Sequence, residues 1–539
     1  MMNVPLTLRS MVERANRFFP KKEIVTRTTN GVFRYTYRDF YERVVRLGNA
    51  LQRLGIKKGD RVATFAWNHH RHLEAYFAIP CMGAVLHTVN IRLSGEHIAY
   101  ILNHAEDRLL LLDESLIPVI EPLREQCKTV KGYIIMTDKP ELPPTSLQPA
   151  YHYEQLLAEA DATPCFPEDI DENDPMGMCY TSATTGMPKG VVYTHRGIYL
   201  HTLTVGLADT LGLSERDTIM PVVPMFHVNA WGMPFAATFF GMKQVYPGVA
   251  PTPNDLLQLI QDEGVTISAG VPTVWIGIMQ ELEKGQYDIS HFKTAICGGS
   301  AAPKAMIQAF EEKYGITMLH AYGMTETSPL ATVARLKSYQ ESLPPEERLN
   351  IRATQGLLVP GLEFRVVGEN GDVAWNDQEM GELWLRGNWI ADEYYRDERT
   401  KDTFVDGWLH TGDVATVDEE GFIRLVDRTK DLVKSGGEWI SSVDLENALM
   451  AHPAVLEAAV IAVPHPKWHE RPLACVVVKP GFEGQVSKEE LLDFIRPYFA
   501  KWWIPDDVVF LPEIPKTSVG KFLKRGLREQ FREYFQAER

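Results

Sequence analysis

Cysteine is scarce and scattered. The six thiols in 539 residues stand at positions 81, 127, 165, 179, 297 and 475. No C-x-x-C pair or Cys/His ligand spacing occurs, which argues against a zinc module or a disulfide framework. Basic residues are in deficit: 55 Lys and Arg face 71 Asp and Glu, a formal net charge of −16. Sequence-independent nucleic-acid binding needs a broad basic surface and is not expected. Anionic small molecules need only a few local donors and stay open. Repeats and low-complexity tracts are absent. The hydrophobic share of 45% and charged share of 23% are those of a globular chain.

Long apolar runs are also missing, with one exception. The opening segment has no apolar core of signal-peptide length, and the closing Gln-Ala-Glu-Arg carries no lipidation or peroxisomal motif. A reducing, cytoplasmic location is expected. Residues 218–242 contain no Asp, Glu, Lys or Arg and reach the length of a membrane span. Pro221, Pro224 and Pro234, with His227 and Asn229, break such a helix. The stretch reads instead as a buried wall around an apolar pocket.

The length corresponds to roughly three to four domain-sized units. Short apolar runs at 61–67, 109–112, 133–136, 265–268 and 294–297 alternate with helical periods such as 41–54 and 303–313. That alternation predicts an α/β fold with buried strands. The last ~110 residues read as a separate, smaller α+β unit. Its clearest helix begins at Ser487, whose spacing to Glu490 is a capping box. Leu491, Phe494, Ile495 and Tyr498 share one face, and Pro497 bends or ends the helix. The expected division is 1–427 and 428–539, joined by a short charged hinge at 428–431.

The sharpest motif is Tyr180-Thr-Ser-Ala-Thr-Thr-Gly-Met-Pro-Lys-Gly190. Small and hydroxylated residues ahead of a lysine can wrap an anion with N–H groups, hydroxyls and one ammonium. It is not a Walker A loop, and taken alone such a loop is more often a surface turn. Further segments follow in order: Pro224-Met-Phe-His-Val-Asn-Ala-Trp231, Gly298-Gly-Ser-Ala-Ala-Pro303, Tyr322-Gly-Met-Thr-Glu-Thr-Ser328, Gly407-Trp-Leu-His-Thr-Gly-Asp413, Asp427-Arg-Thr-Lys430 and Pro515-Lys-Thr-Ser-Val-Gly-Lys521. Together they resemble the adenylate-forming superfamily. His72-Leu-Glu-Ala-Tyr-Phe-Ala-Ile-Pro80 and Lys434-Ser-Gly-Gly-Glu-Trp-Ile-Ser-Ser442 are similar to its fatty-acid CoA ligase branch.

The resemblance implies a large N-terminal domain of α/β subdomains with a small mobile C-terminal α+β domain. It also implies a two-step reaction using ATP, Mg²⁺ and CoA. A carboxylate attacks the α-phosphate to give an acyl-adenylate and pyrophosphate, and a thiol then displaces AMP. Anions meet anions in both steps, so positioning and charge neutralisation carry the chemistry.

By the same resemblance, Thr181, Ser182, Thr184, Thr185, Gly186 and Lys189 hold the β- and γ-phosphates. Thr181 and Glu326 supply hard oxygen to Mg²⁺, and Thr325 meets the α-phosphate. Tyr322 stacks on adenine, with Gly298, Gly299, Ser300, His320, Ala321 and Gly323 around the base. Asp413 accepts the ribose hydroxyls. Arg428, Lys434 and Trp439 lie on the nucleotide side, and Lys430 is the hinge. Lys521 is the adenylation lysine. His227, Val228, Trp231, Gly232 and Val271 line the acyl site, with His227 near the reacting groups and Trp231 as a gate. Gly436, Gly437 and Arg471 face CoA.

Two departures stand out: Ala183 replaces a usual glycine of the phosphate loop, and Ala321 replaces a common glycine before Tyr322. An alanine Cβ at 183 crowds phosphates unless its φ is negative. His69, His70, His72 and Glu74 have the wrong spacing for one helical face and read as packed side chains. The amphipathic residues 8–19 suit either a homodimer interface or an ordinary packed helix. The expected substrate is a medium- or long-chain fatty acid. A short or unusual acid such as 3-(methylthio)propionate, or a carrier-protein acceptor, is the alternative.

Overall fold

The computed structural model describes every residue except 165, 182–185, 430, 436–437, 518–519 and 537–539. The expectations at Ser182, Ala183, Thr184, Thr185, Lys430, Gly436 and Gly437 therefore lie outside the described residues. The architecture is a large α/β N-terminal portion followed by a smaller α+β unit.

The apolar runs of the first half become strands buried on both faces. A seven-stranded sheet runs in the order Ala150–His152, Tyr133–Met136, Asp107–Asp113, Arg61–Phe65, Val85–Thr88, Pro175–Tyr180 and Gly190–Thr194. All its pairings are parallel except the last. That last pair is antiparallel, so the phosphate-loop motif is the connection between its two strands.

A nine-stranded sheet carries most of the other motifs. Its centre pairs Thr317–Gly323, Thr294–Cys297, Ile267–Gly270, Thr218–Pro221, Lys243–Tyr246 and Glu23–Thr28 in parallel. The segments starting at 222, 271, 298 and 324 leave the carboxyl ends of these strands. In open parallel sheets that edge is where ligands bind, because the connecting loops open a crevice there.

A third, antiparallel sheet sets Asp413 of Trp408–Val417 opposite Arg428 of Ile423–Arg428. The C-terminal sheet pairs Val455–His465 with His469–Val478, to which Asp507–Phe510 adds in parallel. Helices Ser442–Met450 and Lys488–Ile495 pack on it. Ser487 caps the second helix by accepting from Glu490 N at 3.1 Å. One expectation needs correction here. The helix ends at Ile495, so Tyr498 falls off its apolar face and is 69% exposed.

Residues 218–242 form strand Thr218–Pro221, a tight turn, and helix Met233–Phe240. Among the described residues no helix is long and apolar enough to cross a membrane. The turn is left-handed: Val228, Asn229, Ala230 and Trp231 have φ of 45°, 52°, 48° and 58°, and Gly232 follows at 74°. Helix Leu8–Phe18 buries Leu8, Met11, Val12 and Ala15 within the chain against helices His70–Cys81 and Met233–Phe240. Most of its apolar face is thus spent internally, with Phe18 left 58% exposed.

Two members of the histidine cluster are hydrogen-bonded, and the buried His70 stacks on Phe33. His69 Nε2 pairs with Asp113 at 2.8 Å, and His72 Nε2 with Thr64 Oγ1 at 2.9 Å. Glu74, fully buried, accepts from Arg43 Nε at 2.7 Å, Tyr153 Oη at 2.6 Å and Tyr35 Oη at 3.0 Å. Arg43 continues to Glu154 at 2.8 Å. Removing one partner of a buried pair leaves an uncompensated charge. Arg43→Ala is expected to cost about 3 kcal/mol, read as a fall in the denaturant midpoint. Tyr35→Phe, which removes one hydrogen bond to that carboxylate but leaves the ion pair, is expected to cost about 2 kcal/mol.

Candidate active site

The phosphate-loop segment is closed at its base. Thr181 N donates to Lys189 O at 2.9 Å, and Lys189 N donates to Thr181 Oγ1 at 3.2 Å. Gly186 sits at φ +73°. Lys189 Nζ reaches across to Tyr394 Oη at 2.8 Å, and that hydroxyl donates to Glu326 Oε1 at 2.6 Å. Burial lowers the Lys189 pKa below the usual lysine range.

Glu326 lies in the turn Thr325–Thr327 after strand Thr317–Gly323 and is 4% exposed. Tyr193 Oη donates to Thr325 O at 2.9 Å, fixing that turn against the strand that follows the phosphate loop. Glu326 and Thr181 are hard oxygen donors. Mg²⁺ is commonly bound by one or two carboxylates completed by phosphates and water, so this donor set fits the ion.

A second charged group forms beside the first. Asp413 accepts from Tyr322 Oη at 2.6 Å and faces Arg428 Nε at 3.1 Å. Burial and the Asp413 charge raise the Tyr322 phenol well above its usual pKa. The nearby Asp413 charge also raises the Arg428 pKa. A carboxylate has further acceptor sites beyond these two contacts.

Backbone proximity explains the glycine pair. A Cβ on Gly298 would stand 2.9 Å from Ala321 O and 3.2 Å from the Trp231 ring. Gly299 adopts φ +82°, and a Cβ there would be 3.0 Å from Val271 and 3.6 Å from Lys521 Cε. Lys521 is delivered by a tight turn in which Lys521 N donates to Thr517 Oγ1 at 3.1 Å. A Cβ on Gly520 in that turn would meet Thr273 at 3.2 Å and Val271 at 3.3 Å. The C-terminal lysine thus enters the crevice at the carboxyl end of the parallel sheet. Burial, and secondarily Arg428, lower the Lys521 pKa to about 8. Burial, and secondarily Lys521, lower His227 to about 3.

Lys521, Trp231, Val271, Gly298 and Gly299 are therefore brought together, with His227 in the electrostatic reach of Lys521. Val228 is buried, and Gly232 packs where a Cβ would lie 2.9 Å from the His201 ring. Thr325 is buried and Ser300 exposed. A Cβ on Gly323 would meet Pro329 O at 2.0 Å, so this glycine is needed for chain passage.

Four of the expected positions have contacts of their own within the chain. His320 is 1% exposed, and its Nε2 accepts from Ala302 N at 3.2 Å. It thereby braces the 298–303 segment. Arg471 is buried and donates to Asp506 Oδ1, Ser435 Oγ, Trp502 O and Ile504 O. Its guanidinium organises the C-terminal unit rather than presenting a free phosphate contact. Lys434 sits 4.2 Å over the Trp439 ring, and Trp439 packs on Val414, Val426 and Leu432. Lys434 itself is exposed, so the pair lies at the surface edge of that small cluster.

The sequence reading missed several residues at the site. Tyr394, Tyr395 and Arg399 grip the phosphate-loop segment from a loop whose composition suggests no anion binding. Asn68 pins the acyl-side segment. Its Nδ2 donates to Pro221 O at 3.0 Å and Val223 O at 2.9 Å, and its Oδ1 accepts from Met225 N at 2.7 Å.

Comparison with known proteins agrees with this arrangement. Residues 12–395 match the AMP-binding enzyme family and residues 444–521 the AMP-binding enzyme C-terminal domain. A long-chain-fatty-acid–CoA ligase of Thermus thermophilus is 50% identical over 99% of this chain and 97% of its own. A 3-methylmercaptopropionyl-CoA ligase of Ruegeria lacuscaerulensis is 42% identical over 99% and 98%. The crystal structure of an anthranilate CoA ligase in complex with anthranoyl-AMP superposes with a TM-score of 0.87 at 25% identity, covering 98% of both chains. The chain belongs to the AMP-binding enzyme family, in its acyl-CoA ligase branch. The reaction class is AMP-forming acid–thiol ligation through an acyl-adenylate.

The low Lys521 pKa has a direct signature. With lysines reductively ¹³C-methylated, one resonance is expected to titrate near pH 8, well below the bulk lysine range. It should vanish in Lys521→Met. A Lys521 signal titrating above pH 10 would contradict the burial argument.

Proposed function

We propose that this ligase activates a medium- or long-chain fatty acid and transfers it to CoA. The observation that carries the proposal is the meeting of Lys521 with Trp231, Val271 and the Gly298–Gly299 pair in one crevice. A cation is brought against an apolar wall, as joining a fatty carboxylate to a phosphate requires. The 50% identity to a long-chain fatty-acid ligase, against 42% to the 3-methylmercaptopropionyl ligase, supports the longer acid.

In this reading the Lys521 ammonium lies between the carboxylate and the α-phosphate and reduces their repulsion. His227, neutral across the working range because of its low pKa, orients the reacting oxygens by hydrogen bonding without adding charge. Thr325 meets the α-phosphate. Tyr322 stacks on adenine, and Asp413 holds the ribose beside Arg428. Gly298 and Gly299 keep the crevice flat enough for a base. Lys189 faces the terminal phosphates. Glu326 and Thr181 would hold Mg²⁺, which when bound neutralises phosphate charge. Val228, Trp231, Gly232 and Val271 surround the acyl chain, with Trp231 as its gate. The second step needs the narrow pantetheine arm to reach the adenylate, and residues 428–431 are the proposed hinge.

Two measurements test this. Release of AMP should depend on both ATP and CoA and should peak at medium or long chains across straight-chain acids plus 3-(methylthio)propionate. A peak at short acids or at the thioether acid would overturn the chain-length reading. Pyrophosphate release with no CoA-dependent turnover would indicate a carrier acceptor. Lys521→Ala should lower adenylation at least a hundredfold, as expected for loss of a charge-stabilising group. It should leave thioester formation from supplied acyl-adenylate within about tenfold of wild type. Equal loss in both half-reactions would refute the assigned role.

A further inference from the structure

Residues 389–399 lie outside every motif quoted from the sequence, yet they touch both sides of the phosphate site. Ala391 N donates to Glu326 O at 2.8 Å, and Ser328 Oγ donates to Trp389 O at 2.7 Å. On the other side, Tyr395 N donates to Gly190 O at 2.8 Å and Arg399 Nη1 donates to Met187 O at 3.0 Å. One short segment therefore brackets the Glu326 turn and the end of the phosphate loop together.

Tyr394 sits between those anchors and is 2% exposed. Its hydroxyl has only one possible polarity. An ammonium can only donate and a carboxylate can only accept. The oxygen must accept from Lys189 Nζ and give its single proton to Glu326 Oε1. The Lys189 ammonium also lies 4.1 Å from the ring centroid, held by the π face. The ring is fixed in turn by Phe404, edge-on at 5.1 Å. Lys189 and Glu326 consequently share a neutral neighbour instead of each other.

We propose that Tyr394 is a positioning residue that prevents Lys189 and Glu326 from closing into a direct ion pair. Opposite charges in a partly buried site attract strongly. A direct Lys189–Glu326 pair would consume the cation meant for phosphate and the carboxylate meant for the divalent ion. Both would have to be separated, each losing its partner, before Mg·ATP entered. The phenol satisfies both charges at lower strength, so each keeps capacity for the incoming ligand. This rests on the reading of Lys189 and Glu326 given above.

The experiment measures equilibrium binding to the full-length protein by calorimetry. The ligands are ATP with excess Mg²⁺ and AMP, which lacks the β- and γ-phosphates. Tyr394→Phe keeps the ring and its packing but removes the hydroxyl. Mg·ATP affinity is expected to fall about tenfold, equivalent to about 1.4 kcal/mol. AMP affinity should stay within about twofold. A merely structural role would weaken both nucleotides alike, and that result, or no change in either, overturns the proposal. Lys189→Met and the double variant complete a cycle. If Tyr394 acts by preserving Lys189, its substitution costs little further once Lys189 is gone. Additive losses would refute the mechanism. If Lys189→Met itself leaves Mg·ATP binding intact, the phosphate-loop reading fails and the proposal with it. If Lys189→Met weakens binding but Tyr394→Phe does not, only the role of Tyr394 falls.

Discussion

Charges gathered in a crevice with restricted access to water must be compensated without being neutralised. That constraint organises this site. Lys189, Glu326, Asp413 and Lys521 lie in it with the half-exposed Arg428 at its edge, and withdrawing such groups from water is costly unless each has a partner. Tyr394 stands between Lys189 and Glu326. Tyr322 and Arg428 share Asp413. Lys521 has the least direct compensation, and its pKa is lowered to about 8. The lysine proposed for the reacting centre is therefore also a strongly perturbed one, as functional groups often are.

The sheets make this crowding possible. Parallel pairing aligns the carboxyl ends of strands Thr218–Pro221, Ile267–Gly270, Thr294–Cys297 and Thr317–Gly323. Four segments distant in sequence thereby open onto one edge. The antiparallel sheet adds Asp413 and Arg428 as cross-strand neighbours. The C-terminal unit contributes the Lys521 turn, which rests on Val271 and Thr273. Close backbone approach at Gly298 locks two of the parallel strands to the Trp231 ring.

Legibility in the sequence followed the range of each signal. Strand–helix alternation and the Ser487 cap are local patterns, and both appear in the fold. The ordered motifs marked the family and the crevice because short contiguous strings line it. Tyr498 was misplaced because the periodicity gave no exact helix end near Pro497. The internal contacts of His320 and Arg471 were not legible for a different reason. A motif position does not say which way a side chain faces, and both turn inward to brace backbone. Tyr394, Arg399 and Asn68 left no trace in the sequence. They act through hydrogen bonds to residues far along the chain, and no periodicity or composition records such contacts.

The left-handed turn at Val228–Trp231 reverses the usual rule for tolerated change. Each non-glycine residue in that conformation carries roughly 1–2 kcal/mol of steric cost, borne by four residues in succession. Where φ is negative and space allows, a glycine loosens the chain and an alanine firms it. Along this turn a glycine would relieve the backbone, while loss of the Val228 or Trp231 side chain would sacrifice the packing that holds the turn in place. Laboratory evolution of the acyl pocket therefore starts from a segment under tension. There, stability and pocket shape are altered by the same substitutions and cannot be tuned separately.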